Sequence, residues 1–159
     1  MKKILIFLIF FFLLAGCLKK GNISNEGENF SFITVDGKHG SLKDYRGKVV
    51  IVDFMATWCF PCHMQMKELE KVHLEYGKDV IIISIDIDGR ENADTIKNTF
   101  SNYINKWIFA MNSSIAYRYE IKAIPTIYIY DKKGNIAFNE TGYTSFDKIK
   151  KIIDKLLQI

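Results

Sequence analysis

The sequence has few cysteines, no apolar run long enough to cross a membrane as a helix, and no basic stripe. Its three cysteines, at positions 17, 59 and 62, leave one unpaired. The apolar run at residues 4–15 falls short of the roughly 20 residues that a transmembrane helix needs, even when it is extended to Leu18. The formal charge is +4, and no basic stripe with interleaved aromatic residues is present. Nucleic acid is therefore not expected as a partner.

The N-terminus is typical of an exported lipoprotein. Lys2 and Lys3 precede the apolar run, and Leu14-Ala15-Gly16-Cys17 resembles a lipobox. That resemblance to bacterial-type lipoproteins implies that residues 1–16 are removed as a signal peptide and that Cys17 is diacylated. An uncleaved signal anchor is the alternative. Either interpretation predicts an extracytoplasmic protein held at the cell membrane, in a compartment where disulfides form and persist.

The remaining chain is predicted to form a tether and one domain. Removal of the signal peptide leaves a formal charge of +2 and 143 residues, and this length suffices for one domain with a buried core. Residues 17–29 are polar and contain two glycines, so we expect a flexible, lipid-anchored tether. Residues 30–159 are predicted to form the folded domain, and we expect a monomer.

The most informative motif is a Cys-x-x-Cys pair, Cys59 and Cys62, behind a strongly apolar strand at residues 49–55. A strand that leads such a pair onto a helix indicates a redox disulfide rather than a metal site. At a helix N-terminus the unpaired N–H groups and the macrodipole lower the pKa of a thiol. Cys59 is therefore the predicted nucleophile. The alternative is a pair of reduced core cysteines.

The helix after the motif has recognisable ends. Pro61 suits the first helical position, where no N–H is needed, and apolar residues recur at helical spacing until Gly77 ends the pattern. Cys62 lies one turn into this helix. We expect it to be more buried than Cys59 and to act as the resolving thiol.

Beyond the motif, apolar strands alternate with amphipathic helices. Strands are predicted at residues 49–55, 80–86, 107–111, 126–130 and 136–140, and helices at 61–76 and 93–104, with one or two helical turns at 113–119 and a last helix after the N-cap Ser145. Near-continuous apolar strands imply a sheet covered on both faces. The predicted class is α/β.

Several sequence segments, taken in their order along the chain, resemble the TlpA/ResA-type (redoxin) branch of the thioredoxin superfamily. The resemblance runs from about Asn29 to the C-terminus. The segments are Asp36-Gly37-Lys38, residues 41–50, residues 56–62, Ile124-Pro125-Thr126 and Asp131-Lys132-Lys133-Gly134. The resemblance implies a thioredoxin-like fold: a central mixed sheet of four or five strands flanked by helices. It also implies an added hairpin at residues 30–42 and an inserted helix and strand near residues 93–111.

The resemblance also assigns a substrate-binding surface. It implies a cis peptide bond at Ile124-Pro125, which would lie against the disulfide and pair its backbone with an extended substrate segment. Trp58 is assigned to the same surface. On the residues alone, Pro125 is equally compatible with a proline that begins the strand at Thr126.

Asp53 interrupts the apolar strand before the motif. An ionised carboxylate there is costly unless it has a partner or a raised pKa. Asp53 resembles the buried acid of thioredoxin, which implies a role as general acid/base for Cys62. The alternative is an outward-facing carboxylate at a strand end.

The chain departs from the family pattern at three positions: Gln65 replaces the usual glutamate, Lys67 a proline and Met55 a tryptophan. The family's reductants of apocytochrome c use that glutamate, and Gln65 cannot titrate. A role in cytochrome c maturation is therefore left open, and Asp53 is left to carry the acid/base chemistry. Lys67 suggests a helix without the usual kink.

Together these features predict a thiol–disulfide oxidoreductase that reduces disulfides in exported proteins without a cofactor or metal. As a reductase it needs a membrane thiol protein as electron donor. A disulfide-forming oxidase, which runs the same chemistry in reverse, is one alternative. A thiol peroxidase is disfavoured because Ala56 stands where peroxiredoxins need threonine.

A non-catalytic module that binds unfolded chains is a further alternative. Cys59 to His63 also matches the c-type haem pattern Cys-x-x-Cys-His, with His63 as the ligand, although the preceding strand argues against it.

Overall fold

The computed structural model describes residues 28–158. The predicted signal peptide, Cys17 and the tether up to residue 27 lie outside these residues, so the predictions about them stay predictions. Within the described part, no helix has the length and apolar character needed to cross a membrane.

The described residues form one mixed sheet of seven strands with four α-helices. The strands are β1 (Ser31–Thr34), β2 (His39–Ser41), β3 (Val49–Met55), β4 (Val80–Asp86), β5 (Ile108–Met111), β6 (Thr126–Tyr130) and β7 (Ile136–Thr141). The helices are α1 (Phe60–Tyr76), α2 (Ala93–Thr99), α3 (Ser113–Arg118) and α4 (Phe146–Leu157). The order across the sheet is β2-β1-β5-β4-β3-β6-β7. Strand β4 runs parallel to β3 and β5, and the other neighbours are antiparallel.

Strand β3 lies beside the central strand β4, and all seven of its residues are buried. Because side chains alternate along a strand, Ile51 and Met55 face the core that includes α1 and α4, whereas Val50 and Val52 face a second core. The second core includes Ile115 of α3. The sheet is thus covered on both faces, as the apolar strands predicted, and the thioredoxin-like fold is confirmed.

The predicted element boundaries hold closely except at α2, which ends at Thr99 rather than at residue 104. Phe100 leaves the helical conformation, and its buried ring anchors the chain in the core. The following residues form turns, with N–H groups of Tyr103 and Lys106 donating to the carbonyls of Phe100 and Tyr103. The predicted helix was too long because its apolar spacing continued into turns that bring Trp107 to β5.

Candidate active site

Cys59 is the N-cap residue of α1 and forms a disulfide with Cys62. The N–H of Cys62 points back at the first cysteine: it lies 3.2 Å from Cys59 Sγ and 3.0 Å from the Cys59 carbonyl oxygen. In the reduced protein a donor in this position favours the thiolate of Cys59 over its thiol. The sequence-based placement of the pair at the start of a helix is thus what the structure shows.

Both cysteines are buried in the oxidised protein, Cys59 at 3% exposed and Cys62 completely. The small difference has the predicted direction, with Cys62 the more buried of the two. Pro61 occupies the second rather than the first helical position, because the helix begins at Phe60. The second N–H of a helix also lacks an intrahelical partner, so proline costs nothing there. Helix α1 continues without a break past Lys67.

Asp53 is fully buried on the face of β3 that α1 covers. Burial raises the pKa of Asp53 from 3.8 to about 7, and a hydrogen bond from Ser84 opposes this rise. The Ser84 hydroxyl donates to Asp53 Oδ2 at 3.2 Å, whereas Oδ1 has no hydrogen-bond partner among the described residues. Asp53 therefore points inward, as predicted, rather than outward at a strand end.

A second hydrogen bond extends this contact, and the sequence did not reveal it. The indole Nε1 of Trp107 donates to Ser84 Oγ at 3.0 Å, and both side chains are buried. The available signal was weak: a serine within the apolar run of β4 needs a partner once it is buried. Which partner it finds depends on the strand register, which pairs Asp53 with Ser84.

The residues just before Cys59 are held by the loop that follows β4, a second feature that sequence reasoning missed. The carboxylate of Glu91 accepts the backbone N–H of Thr57 at 3.0 Å and also the Thr57 hydroxyl. Trp58 is 64% exposed, and its indole donates to Asp88 Oδ2 at 2.8 Å. Arg90 pairs with the same Asp88 carboxylate and, together with Trp58, holds its pKa well below the usual range.

Behind Glu91 lies a second buried acid, Asp86. Burial and the nearby carboxylate of Glu91 raise the pKa of Asp86 to about 8. Burial also works against ionisation of Glu91, but its interactions with Asp86 and Thr57 outweigh burial and lower the pKa of Glu91. The two carboxyls therefore titrate as a coupled pair, in which the pKa of Asp86 is raised and that of Glu91 is lowered.

The peptide bond between Ile124 and Pro125 is cis, as the family resemblance implied. Pro125 is buried and its carbonyl accepts the N–H of Gly142 at 2.7 Å. Ile124 and Trp58 both line a surface cavity of about 460 Å³, together with Ile121, Lys122 and Arg90. The structure thus brings together two members of the predicted substrate-binding surface, the exposed Trp58 and the partly buried Ile124.

Gln65, the residue that replaces the family glutamate, is fully buried and paired at both ends of its amide. Its Nε2 donates to the Thr144 carbonyl at 3.0 Å, and its Oε1 accepts the Thr144 N–H at 2.8 Å. The amide therefore ties α1 to the segment before α4. An ionised glutamate would lack the donor that this pairing requires.

His63 lies on the first turn of α1 and is partly buried. Its Nε2 donates to the Thr57 carbonyl at 2.7 Å, and its ring centroid lies 5.0 Å from that of Phe100. These contacts, together with the disulfide between Cys59 and Cys62, occupy the three side chains that the haem interpretation required.

The fold and the position of the disulfide define a thioredoxin-like thiol–disulfide oxidoreductase. Comparison with known proteins supplies the family: the chain belongs to the AhpC/TSA family, whose model matches residues 23–139. The predicted resemblance to redoxins is thereby confirmed.

Individual relatives agree with this assignment. The chain is 31% identical over 137 residues to the thioredoxin-like protein YneN of Bacillus subtilis, covering 81% of this chain and 77% of that one. It is 30% identical over 141 residues to the thiol–disulfide oxidoreductase ResA of Bacillus cereus, covering 87% and 80%. Among solved structures, it is similar to the exposed lipoprotein thioredoxin of Streptococcus pneumoniae, with a TM-score of 0.69, 25% identity and coverage of 81% and 100%.

Proposed function

We propose that this oxidoreductase is tethered to the outer face of the cell membrane, where it reduces disulfides in exported proteins. The observation that carries the proposal is the position of Cys59 at the N-cap of α1, with the N–H of Cys62 directed at its sulfur. The reductive direction rests on the resemblance to the TlpA/ResA-type branch.

In the proposed reaction the Cys59 thiolate attacks one sulfur of a substrate disulfide. A Cys59–substrate bond forms and the other substrate sulfur leaves as a thiolate. Asp53 then accepts the proton of Cys62 through water, and the Cys62 thiolate attacks Cys59 Sγ. The second substrate sulfur leaves and takes up a proton. The substrate has gained two electrons, and the enzyme is left with the Cys59–Cys62 disulfide, the state of the structure.

Asp53 is better suited to the proton-transfer step than Gln65, the residue of α1 at the position of the family glutamate. Its raised pKa of about 7 allows it both to accept and to return a proton near neutral pH. Gln65, at the position of the family glutamate, cannot titrate and has both ends of its amide engaged with Thr144.

Trp58, Ile124 and Pro125 are proposed to bind the substrate chain beside Cys59. Trp58 offers an exposed apolar surface, and Ile124 lines the same cavity. An extended segment docked there pairs with backbone groups, which makes binding tolerant of sequence.

Trapping of mixed disulfides tests the roles of the two cysteines. Cys62→Ser should accumulate mixed disulfides with exported proteins through Cys59, because the resolving step is lost. Cys59→Ser, the matched control, should trap nothing and abolish turnover. Equal trapping by both variants would reverse or void the assignment. Non-reducing gels of membrane fractions, with trapped partners identified by mass spectrometry, give the readout.

The direction of exchange is tested by equilibrium with glutathione. A reduction potential of about −270 mV, as in thioredoxin, is expected for a reductase, whereas a potential of about −120 mV would make the protein an oxidase. A reductase also needs recharging by a membrane protein with an exposed dithiol. Deletion of the true donor should leave the Cys59–Cys62 pair oxidised in cells.

Membrane attachment through Cys17 is supported by the similarity to a solved lipoprotein thioredoxin. Cys17→Ala should release the domain or leave an unprocessed precursor, visible as a change in detergent-phase partitioning or in size. Unchanged partitioning and mature size would contradict the lipid anchor.

A further inference from the structure

We propose that Ser84, itself held by Trp107, is a positioning residue that occupies one oxygen of Asp53 and leaves the other to exchange the proton of Cys62. The inference deepens the proposed function, since it rests on Asp53 acting as the acid/base group. It concerns Ser84 and Trp107, whose hydrogen bonds among the described residues involve neither Cys59 nor Cys62.

The first step of the argument is the direction of the Ser84 hydroxyl. A serine hydroxyl carries one hydrogen and can accept up to two, whereas an indole N–H can only donate. Because Trp107 Nε1 donates to Ser84 Oγ at 3.0 Å, the hydroxyl hydrogen is left for Asp53 Oδ2 at 3.2 Å. The other acceptor in reach is the weak sulfur of Met66, at 3.9 Å. The carboxylate is the stronger acceptor.

The second step is that Trp107 is held in place. Its ring packs against those of Tyr103 and Phe109, with centroids 5.2 and 5.7 Å away. Both neighbours belong to residues 100–111, where the chain leaves α2 and enters β5. This segment, which the family resemblance described as an insertion, therefore delivers the donor that orients Ser84.

The third step concerns the two oxygens of Asp53. Oδ2 receives the Ser84 hydrogen, and Oδ1 has no hydrogen-bond partner among the described residues. A hydrogen bond to the charged form favours the carboxylate, so Ser84 limits the rise in pKa that burial causes. The free oxygen is then the one that takes up and releases the proton.

The surroundings of Asp53 offer few competing charges. Strand β4 contributes Ser84, strand β6 places Ile127 opposite Asp53 in the register, and α1 adds Cys62 and Met66 to the same core. The nearest ionisable rings along the chain of contacts are those of Tyr103 and His73, whose centroids lie 5.2 and 6.1 Å from that of Trp107. The measurement must therefore observe the Asp53 carboxyl directly.

The test measures the pKa of Asp53 by carboxyl-carbon NMR in the oxidised protein, where neither cysteine titrates. Asp53→Asn identifies the signal, and carboxyl detection excludes His73. Ser84→Ala should raise the pKa by about one unit, because a neutral donor to a charged group is lost. Trp107→Phe keeps an aromatic ring but removes the N–H, and should raise it by less. Thr144→Val removes another buried hydroxyl and should leave it unchanged.

An unchanged pKa in Ser84→Ala would overturn the inference. If that variant does not fold, Trp107→Phe decides, and an unchanged pKa there would overturn the role of Trp107. A general loss of packing is distinguished from positioning because it would also move the signal in Thr144→Val.

Kinetics separate this inference from the proposed role of Asp53. Reduced protein is mixed with an aromatic disulfide whose two thiols absorb on release, so that attack and resolution appear as successive phases. In Ser84→Ala the pH midpoint of the second phase should rise with the NMR pKa while its high-pH plateau is kept. At pH 7 a one-unit rise in the pKa of Asp53 lowers its ionised fraction, and hence the rate of the second phase, by about fivefold.

An unmoved midpoint would overturn the positioning role. A second phase in Asp53→Asn with the wild-type pH profile would refute the role of Asp53 but leave the Ser84 contact intact.

Discussion

Two buried aspartates stand on neighbouring strands of the sheet, and their surroundings give them different capacities. Asp53 on β3 and Asp86 on β4 are both almost inaccessible, and burial raises the pKa of the first to about 7 and of the second to about 8. Each carboxyl keeps one oxygen without a hydrogen-bond partner among the described residues. The other oxygen of Asp53 accepts the neutral Ser84 hydroxyl, and that of Asp86 accepts the backbone N–H of Asp88. Asp86 differs in that its carboxyl is coupled to a second one, that of Glu91.

The difference teaches that a raised pKa does not by itself identify a proton carrier. The carboxyl of Asp86 is coupled to that of Glu91, whose two oxygens hold Thr57 just before Cys59. Ionising both carboxyls would place two negative charges together and disturb the active-site segment. Asp53 can lose its proton without breaking a bond to another acid. One acid therefore suits proton exchange, and the other holds the active-site segment.

The largest effect should come from removing the charge of Asp53. The pKa of this carboxyl is about 7 in the folded protein and 3.8 when exposed, so the folded state binds more protons between these values. Wild-type stability must therefore fall as pH rises from about 4 to 7. Asp53→Asn removes this loss and should stabilise the domain by about 4 kcal/mol more at pH 8 than at pH 4.

Urea unfolding of the oxidised protein at the two pH values measures this difference. Asp86 titrates in both proteins and cancels in the comparison. An equal effect of Asp53→Asn at pH 4 and pH 8 would show that Asp53 is not a buried acid of raised pKa, and the contrast between the two aspartates would fail.

A further buried acid can be created to sharpen the contrast, with an intermediate effect on stability. Gln65→Glu places a carboxyl where the amide now pairs with both backbone groups of Thr144. When protonated, the carboxyl can still donate to the Thr144 carbonyl, but when ionised it cannot. We expect a loss of about 3 kcal/mol at pH 8 and much less at pH 4. A loss independent of pH would indicate a packing fault.

The local parts of the site could be predicted from sequence, and the long-range contacts could not. The strand at Val49–Met55 and the helix-capping Cys59 follow from patterns within about 15 residues, and the inward direction of Asp53 follows from the residues that alternate with it. By contrast, Trp107 lies 23 positions from Ser84, Glu91 lies 34 from Thr57, and Thr144 lies 79 from Gln65.

Those distant pairs depend on strand register and on where a loop ends, which spacing alone does not specify. The family resemblance correctly predicted the cis peptide bond before Pro125. For Gln65 it indicated only the loss of the family's titratable glutamate. The structure shows instead a residue with a positive role, the amide pairing with Thr144. Departures from a family pattern are therefore better interpreted after their contacts are known.

The smallest effect is expected at the coupled pair of Asp86 and Glu91, where two nearly isosteric substitutions should differ. Glu91→Gln leaves one acceptor oxygen in place of two, so a hydrogen bond to Thr57 is lost, and the domain should be destabilised by about 1 kcal/mol at pH 7 because Glu91 is partly exposed. Asp86→Asn is the matched control: its amide can donate to Glu91 in place of the carboxyl proton and should cost almost nothing. Urea unfolding at pH 7 compares them. If Asp86→Asn cost as much as Glu91→Gln, Asp86 would be acting as an anion, and the two buried aspartates would not differ in the way their neighbours indicate.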